Sequence, residues 1–465
     1  MSDLTKGAEL VLEVTDLNNL GYGVAHAPDG RVIFVGGAVT GDTVRAQIIK
    51  VSKTFAVGKV AELLVASPDR VDGYCGAPAS CGGCVYRYLS YEKELELKHG
   101  FVTHAFRKAG LPFVNVEAVR TAGEQRGYRN KAEYPITGGK NGLFGGFYAP
   151  KTHRVVPAFD CALQPPAFGE ILRFFCAFYT EKGIESYNEE TGKGLLRHLY
   201  LRQSDKGEQI MVCPVINGKE LPHALEFVGK LLQKFPQVTS VVVNENRKQT
   251  NVVLGEKYHT VYGNPYIEDT LCGKTFRIAP ASFYQVNHDA AQLLYTLAAE
   301  RTGLDGKGLL LDLYCGAGTI GLSMAERAQE VIGIEIVPAA VDCANVNKRL
   351  NGIKNAHFYC GDAANAEGLL APVEQERGAL HPDVVILDPP RKGCDAQLLQ
   401  FLAARGVARI VYVSCNPDTL ARDCAIMHER GYEIGTVTPV DLFPRTGHVE
   451  SVVSLTRGFN VDMRR

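Results

Sequence analysis

Three short stretches carry side chains whose types and spacing can do covalent chemistry. The first, "VSCNPDTLARD" at 413–423, sets Cys415 between a strand-like run and a helix start. Pro417 suits the first turn of a helix. Backbone dipoles at such an end are expected to lower a thiol pKa and raise its thiolate fraction. The second, "LDPPRKG" at 387–393, ends another strand-like run with Asp388 and Arg391. The third, "DLFPRTGHVESVV" at 441–453, offers Glu450 and His448 just before an apolar final strand. A thiolate beside a carboxylate fits one reaction in particular. Ring carbon C5 of a pyrimidine is a poor nucleophile until a thiolate adds to C6, and such covalent activation splits one hard step into easier ones. The C5 proton must then be removed, which is work for a carboxylate. Glu450 is favoured over His448 for it, since a surface histidine near a turn is often incidental. The bland readings are a small core cysteine at 415 and a salt-bridged strand-end glutamate at 450.

The methyl or hydride donor is read from "LDLYCGAGTIGL" at 311–322, where Gly316, Gly318 and Gly321 fit G-x-G-x-x-G after a strand. Glu335 ends the next strand, where an acidic group binds ribose hydroxyls. This pattern also suits NAD. Asp312 speaks against a dinucleotide, because its carboxylate would face a pyrophosphate across a short gap. S-adenosylmethionine has no phosphate and carries two cationic groups, so acids around the loop favour it. Asp362, in "YCGDA" after the following strand, is placed where adenine would lie. Arg391 stands where many enzymes that methylate exocyclic amines have an aromatic residue, which makes an amine target less natural.

A second constellation lies in "YCGAPASCGGC" at 74–84. Cys75, Cys81 and Cys84 form C-x5-C-x2-C, and Cys161 in "PAFDCALQ" is the best fourth ligand. Four sulfurs without histidine suit zinc or an iron–sulfur cluster, and the spacing does not decide between them.

The elements that must position these groups fall into three parts. Residues 1–68 read as a small β-barrel, with strands in "AELVLEVTDL", "RVIFVGG" and "DTVRAQIIKV" and a Gly-rich turn in "NLGYGVAHAPDG". Residues 69–270 read as a mixed α+β domain. It has helices in "SYEKELELKHGFVTHAFRKAG" and "PHALEFVGKLLQKF", and its "RGYRNKAEYPI" is either an RNA-gripping segment or a salted edge strand. Residues 271–465 alternate apolar runs with helical segments, the pattern of a doubly wound parallel sheet. The fold class is therefore α/β, with an OB-like barrel in front.

Composition bounds the partners. The 465 residues carry a net charge of -1, so nucleic acid would have to be met by local basic patches. No stretch is apolar enough to span a membrane, and "MSDLTKGAEL" lacks the pattern of a signal peptide. A cytoplasmic location is expected, where the thirteen cysteines stay reduced. No protein partner is implied.

Taken together, "FYQVN", "LDLYCGAGTIGL", "DPPRKG", "SCNP" and "FPRTGHVESV" resemble the RNA uracil-C5 methyltransferase family, and the opening barrel resembles a TRAM domain. The resemblance implies Cys415 as nucleophile and Glu450 as proton acceptor. It implies that Gln285, Tyr314, Glu335 and Asp388 hold S-adenosylmethionine, that Phe283 stacks on a flipped uracil, and that Arg391 contacts the nucleotide. Thr319 carries over less well, because the loop side chains differ among members. The resemblance also tips the cysteine set to a [4Fe-4S] cluster over zinc. It makes 23S rRNA the expected substrate, with tRNA as the runner-up. A non-catalytic RNA-binding iron–sulfur protein is the reading from another class, and intact Asp388, Cys415 and Glu450 oppose it.

Overall fold

The computed structural model describes residues 4–72, 74–139, 142–362 and 365–458, so the first three residues of the opening stretch lie outside it. Six strands come first: β1 (Glu9–Glu13), β2 (Asp16–Leu17), β3 (Tyr22–His26), β4 (Val32–Gly36), β5 (Thr43–Val51) and β6 (Phe55–Val65). They form one sheet in the order β1-β5-β6-β4-β3-β2. Every second residue of β4 and most of β5 is buried, as a half-buried strand requires. Leu12, Ile33, Val35, Val44 and Ile48 make a core of their own. The stretch expected as a turn contains β3. Its inward residues, Gly23 and Ala25, are too small to signal a strand by hydrophobicity. Arg70 clasps the buried Asp42 at 2.6 Å and ties this sheet to the segment that leads into the next domain.

Helix α1 (Tyr91–Lys108) begins where the Ser90 side chain accepts from the Lys93 amide. A seven-stranded sheet then runs in the order β13-β12-β11-β10-β7-β8-β9. Its strands are β7 (Lys131–Gly139), β8 (Gly142–Tyr148), β9 (Val155–Pro157), β10 (Leu196–Gln203), β11 (Ile210–Ile216), β12 (Val238–Glu245) and β13 (Lys257–Gly263). Helices α2 (Pro166–Glu181) and α3 (Ala224–Lys234) accompany it. The sequence reading missed α2. Its four phenylalanines and one tyrosine look strand-like, and eight of its residues are buried, so it shows little polar face. The basic stretch at 126–136 leads into β7, whose residues Lys131–Pro135 pair with β10 and whose residues from Ile136 onward pair with β8, so β7 lies inside the strand order while each half is paired on one side.

After a hairpin, β14 (Ile267–Leu271) and β15 (Lys274–Ile278), comes the eight-stranded sheet. Strands β16 (Leu309–Leu313), β17 (Glu330–Glu335), β18 (Ala356–Cys360), β19 (Val384–Leu387) and β20 (Arg409–Ser414) are parallel. Strands β21 (Tyr432–Ile434), β22 (Thr438–Val440) and β23 (Glu450–Arg457) complete it, β23 antiparallel to β20. Helices α4 (His288–Thr302), α5 (Thr319–Ser323), α6 (Pro338–Leu350), α7 (Ala366–Arg377), α8 (Ala396–Ala404) and α9 (Pro417–His428) connect the strands. Leu310, Val331, Ile386 and Val411 face one apolar layer, and their neighbours Leu311, Ile332, Val385 and Ile410 face the other. Burial on both faces explains the unbroken apolar runs. Val102 and Phe106 of α1 join the second layer beside Leu420 and Cys424 of α9. The order β18-β17-β16-β19-β20 reverses direction between β16 and β19. Ligands bind beyond the carboxyl ends of strands at such a switch point.

Candidate active site

The loops after β16, β17, β19 and β20 and the start of β23 meet at that edge. In the loop after β16, Gly318 has φ +78°, and a Cβ there would come within 2.9 Å of Phe358. Only glycine fits. Tyr314 also takes the left-handed region, at φ +65°. Strain of this kind in a bulky residue clusters at functional sites. Glu335 accepts from the Gly316 amide at 3.1 Å and the Val337 amide at 2.9 Å, which fixes its carboxylate at the loop. Asp312 sits directly beneath. It is 0% exposed, its Oδ2 accepts from the Gly321 amide at 2.9 Å, and its Oδ1 has no partner. Burial pushes its carboxyl up to about 8, with Asp388 and Glu335 adding to the effect. Asp362 follows β18 at the surface, and its charge reaches the half-buried Tyr314.

Asp388 is half-buried after β19, and desolvation pushes its carboxyl up to about 7. Glu450 is 5% exposed, and burial followed by the charge of Asp388 pushes it up to about 8, against the pull of Arg391. Burial raises all three carboxyls in the crevice beyond the strand ends, repulsion from Asp388 adds to it at Asp312 and Glu450, and a cationic ligand there would relieve both by favouring the ionised forms. The residues present therefore fit a sulfonium cofactor.

Cys415 follows β20, half-buried. The expected lowering of its thiol pKa is not found. Burial pushes it up to about 11, Glu450 and Asp388 add to this, and Arg391 opposes. Asn416 caps α9. Its Oδ1 accepts from the Asp418 amide at 3.1 Å. The Asn416 Nδ2 donates to the Arg391 carbonyl at 2.9 Å, which joins the loops after β19 and β20.

Gln285 and Phe283 come from the segment before α4. Arg202 holds this segment by donating to the carbonyls of Ser282 at 2.8 Å and Tyr284 at 3.4 Å. Asn130 donates to the Gln285 carbonyl at 2.9 Å. Phe283 is 69% exposed, an aromatic ring left open to solvent beside buried neighbours. Arg391 lies at the surface, 3.3 Å from the Nε2 of His448. Burial, then Arg391, Lys98 and Arg129, hold that imidazole below its ordinary pKa.

Sequence reasoning missed three residues here. Tyr295 of α4 is buried, its hydroxyl 3.3 Å from Thr319 Oγ1 and hydrogen-bonded to Gln285. Asn416 stands out in the sequence only as a neighbour of Cys415. Arg445 has φ +71° and is the hub of the loop that carries Glu450. It donates to the Leu89 carbonyl at 2.7 Å and to Gln125 Oε1 at 2.8 Å, and its guanidinium lies 4.4 Å from the Tyr74 ring centroid. Lys98, wholly buried, bridges Glu94 and Asp441 at 2.7 Å each. Gly447 lets Asn19 approach, since a Cβ there would meet its carbonyl oxygen at 1.7 Å. No local pattern marks such long-range partners.

Cys75, Cys81, Cys84 and Cys161 border one cavity of about 300 Å³. Burial pushes the Cys161 thiol up to about 11, and the other sulfurs are near enough to act on it and on Cys84. The residues present thus fit a metal centre held by thiolates. Among the described residues no helix is long and apolar enough to cross a membrane.

Residues 241–458 match the model of the tRNA (uracil-5-)-methyltransferase family, and residues 3–61 that of the TRAM domain. An RNA methyltransferase of Halalkalibacterium halodurans is 40% identical over 448 residues, 96% of each chain. One of Clostridium acetobutylicum is 38% identical, covering 97% of this chain and 98% of the relative. The crystal structure of Pyrococcus abyssi tRNA (uracil-54, C5)-methyltransferase with S-adenosyl-L-homocysteine superposes with a TM-score of 0.77. It is 26% identical over 96% of this chain and 100% of that one. The crevice of acids, the exposed aromatic ring and the thiol beside a buried glutamate thus lie in a chain that belongs to the S-adenosylmethionine-dependent RNA uracil-5-methyltransferase family.

Proposed function

We propose that the protein methylates C5 of a uridine in 23S rRNA, with Cys415 as nucleophile and Glu450 as proton acceptor. The observation that carries this is the pairing of a half-buried thiol with a buried carboxyl at one sheet edge. The target base leaves its stack, and Phe283 stacks on it while Arg391 contacts the nucleotide. Cys415 loses its proton to solvent, and its sulfur bonds to C6, driving the ring electrons onto O4. S-adenosylmethionine supplies the electrophilic methyl group that C5 takes. Glu450 then removes the C5 proton, the C5–C6 double bond re-forms, and the sulfur of Cys415 leaves as thiolate. Gln285, Tyr314, Glu335, Asp388 and Asp362 hold the methyl donor, and Asp312 supports the loop from below.

The parts divide as a TRAM barrel over 1–68, an RNA-binding domain over 69–270 and a catalytic domain over 271–465, with β14 spanning the second boundary and α1 packing into the catalytic layer. Cys75, Cys81, Cys84 and Cys161 would hold a [4Fe-4S] cluster. The choice of a cluster over zinc rests on the family resemblance. Methyl transfer needs no electron, and the cluster's part is to shape the RNA-binding segment.

The rRNA assignment rests on the combination of cluster and TRAM barrel. The likeness to a tRNA (uracil-54, C5)-methyltransferase favours the second reading, a tRNA substrate. Deleting the gene and mapping 5-methyluridine in rRNA and tRNA tests both. Loss of a 23S site alone supports the first, loss from tRNA the second, and no loss overturns the activity.

A further inference from the structure

We propose that a cleft in the seven-stranded sheet, away from Cys415, is a pocket for a second, unpaired nucleobase of the RNA substrate. The inference rests on the proposed RNA substrate and adds a site to it. The cleft opens where β7 changes partner. Its last pair with β10 is Pro135–His198, and its first with β8 is Ile136–Gly145. Beyond Pro135 the strand therefore turns an unpaired backbone edge toward a cavity of about 430 Å³.

Three features of the lining define the ligand. Tyr148, stacked on His153 with ring centroids 5.2 Å apart, and Tyr187, with the Arg197 guanidinium 4.5 Å from its centroid, offer aromatic faces. Bases stack on such platforms. His198 is only 9% exposed, lines the cleft, and its Nδ1 has no partner. Burial and Arg197 keep this imidazole neutral, so it suits a neutral hydrogen-bonding edge.

The charge disfavours a phosphate as occupant. Glu189, 2.5 Å from the His153 Nδ1, and Glu190 set two carboxylates in the lining beside Arg154, and Arg197 is already spent on the carbonyls of Asn246, Lys248 and Thr250. A flat, uncharged, hydrogen-bonding ring remains, which is a nucleobase. The Gly82 amide donates to the Tyr148 carbonyl at 3.2 Å, so the cysteine loop buttresses one wall.

The test uses full-length protein with 23S rRNA fragments and tRNA carrying single 4-thiouridines at unpaired positions. Irradiation is expected to cross-link one position outside the methylated site to the peptides holding Tyr148 or Tyr187. Tyr187→Ala and Tyr148→Ala are expected to weaken RNA binding roughly 5- to 100-fold, leaving kcat at saturating RNA unchanged. Tyr187→Phe, which keeps the ring, is expected to bind like the parent. Placing an abasic nucleotide at the cross-linked position is expected to erase the difference between parent and variants. Cross-links confined to other peptides, alanine variants that bind within twofold of the parent, or equal losses on abasic RNA would overturn the pocket. A parent that binds and cross-links RNA but forms no 5-methyluridine would overturn the proposed reaction and leave the pocket standing.

Discussion

Cys415 and Glu450 face each other one step beyond the last pair of an antiparallel ladder. Ser414 pairs with Ser451, and the register runs unbroken from Arg409–Thr456. Directly opposed residues share a face of the sheet. Thiol and carboxyl are thus positioned by the paired strands β20 and β23, and Val440 of β22 pairs with Glu450 on its other side.

The first prediction concerns the second half of the reaction. Glu450→Gln keeps the shape and removes the base. Cys415 can still add and C5 can still take the methyl group, but the C5 proton stays. The expected outcome is a covalent protein–RNA complex that accumulates and resists denaturing gels, with turnover down roughly a hundredfold or more. A variant that turns over normally without trapped RNA would place the base elsewhere.

Raised carboxyls give a pH signature. Asp388 moves from 3.8 to about 7 and Glu450 from 4.5 to about 8. Between those limits the folded state holds protons that the unfolded chain has lost. Stability of the ligand-free protein therefore falls as pH rises through that window and levels off above about 8. A cationic ligand reverses the preference by favouring the ionised acids. S-adenosylmethionine is expected to bind more tightly at pH 8 than at pH 6 and to release protons at pH 7. Calorimetry in buffers of different ionisation enthalpy reads this directly, and Asp388→Asn is expected to flatten it.

Much of this site was legible because its residues lie at the ends of apolar runs. Cys415, Asp388 and Glu335 each close a strand that the sequence shows plainly, and the glycine loop announces itself. The polarity of the thiol shift was not legible. It depends on burial and on two carboxyls, Glu450 and Asp388, from distant parts of the chain. Helix α2 was hidden by its aromatic content, and β3 by its small inward residues. The hub at Arg445 joins residues more than 300 positions apart, which no local pattern encodes.

That hub supplies a stability prediction. Lys98 bridges Glu94 and Asp441 with no exposure to solvent, and Arg445 lies 3.7 Å from Glu94 as the second cation. Lys98→Met leaves Asp441 buried without its cation and Glu94 with Arg445 alone. Breaking such a network costs about 3–5 kcal/mol, to be read as a lowered midpoint in urea. A double variant, Lys98→Met with Glu94→Gln, is expected to recover part of the loss, and failure to recover would assign the cost to packing alone.

The cysteine ring makes a separate prediction. Cys84→Ser is expected to lower iron and acid-labile sulfide in protein purified without oxygen, and to weaken RNA binding before it alters the chemical step. Parent protein that carries stoichiometric zinc and no iron would replace the cluster with a zinc site.

The proposed reaction turns on a bond between the sulfur of Cys415 and C6 of uracil. Its most direct measurement is mass spectrometry of the protein after reaction with 5-fluorouridine substrate RNA and S-adenosylmethionine, since fluorine at C5 blocks the final elimination. One adduct is expected, on the peptide containing Cys415, heavier than the RNA fragment by a methyl group and absent from Cys415→Ser. An adduct on another cysteine, or methylated RNA formed by Cys415→Ser, would contradict it.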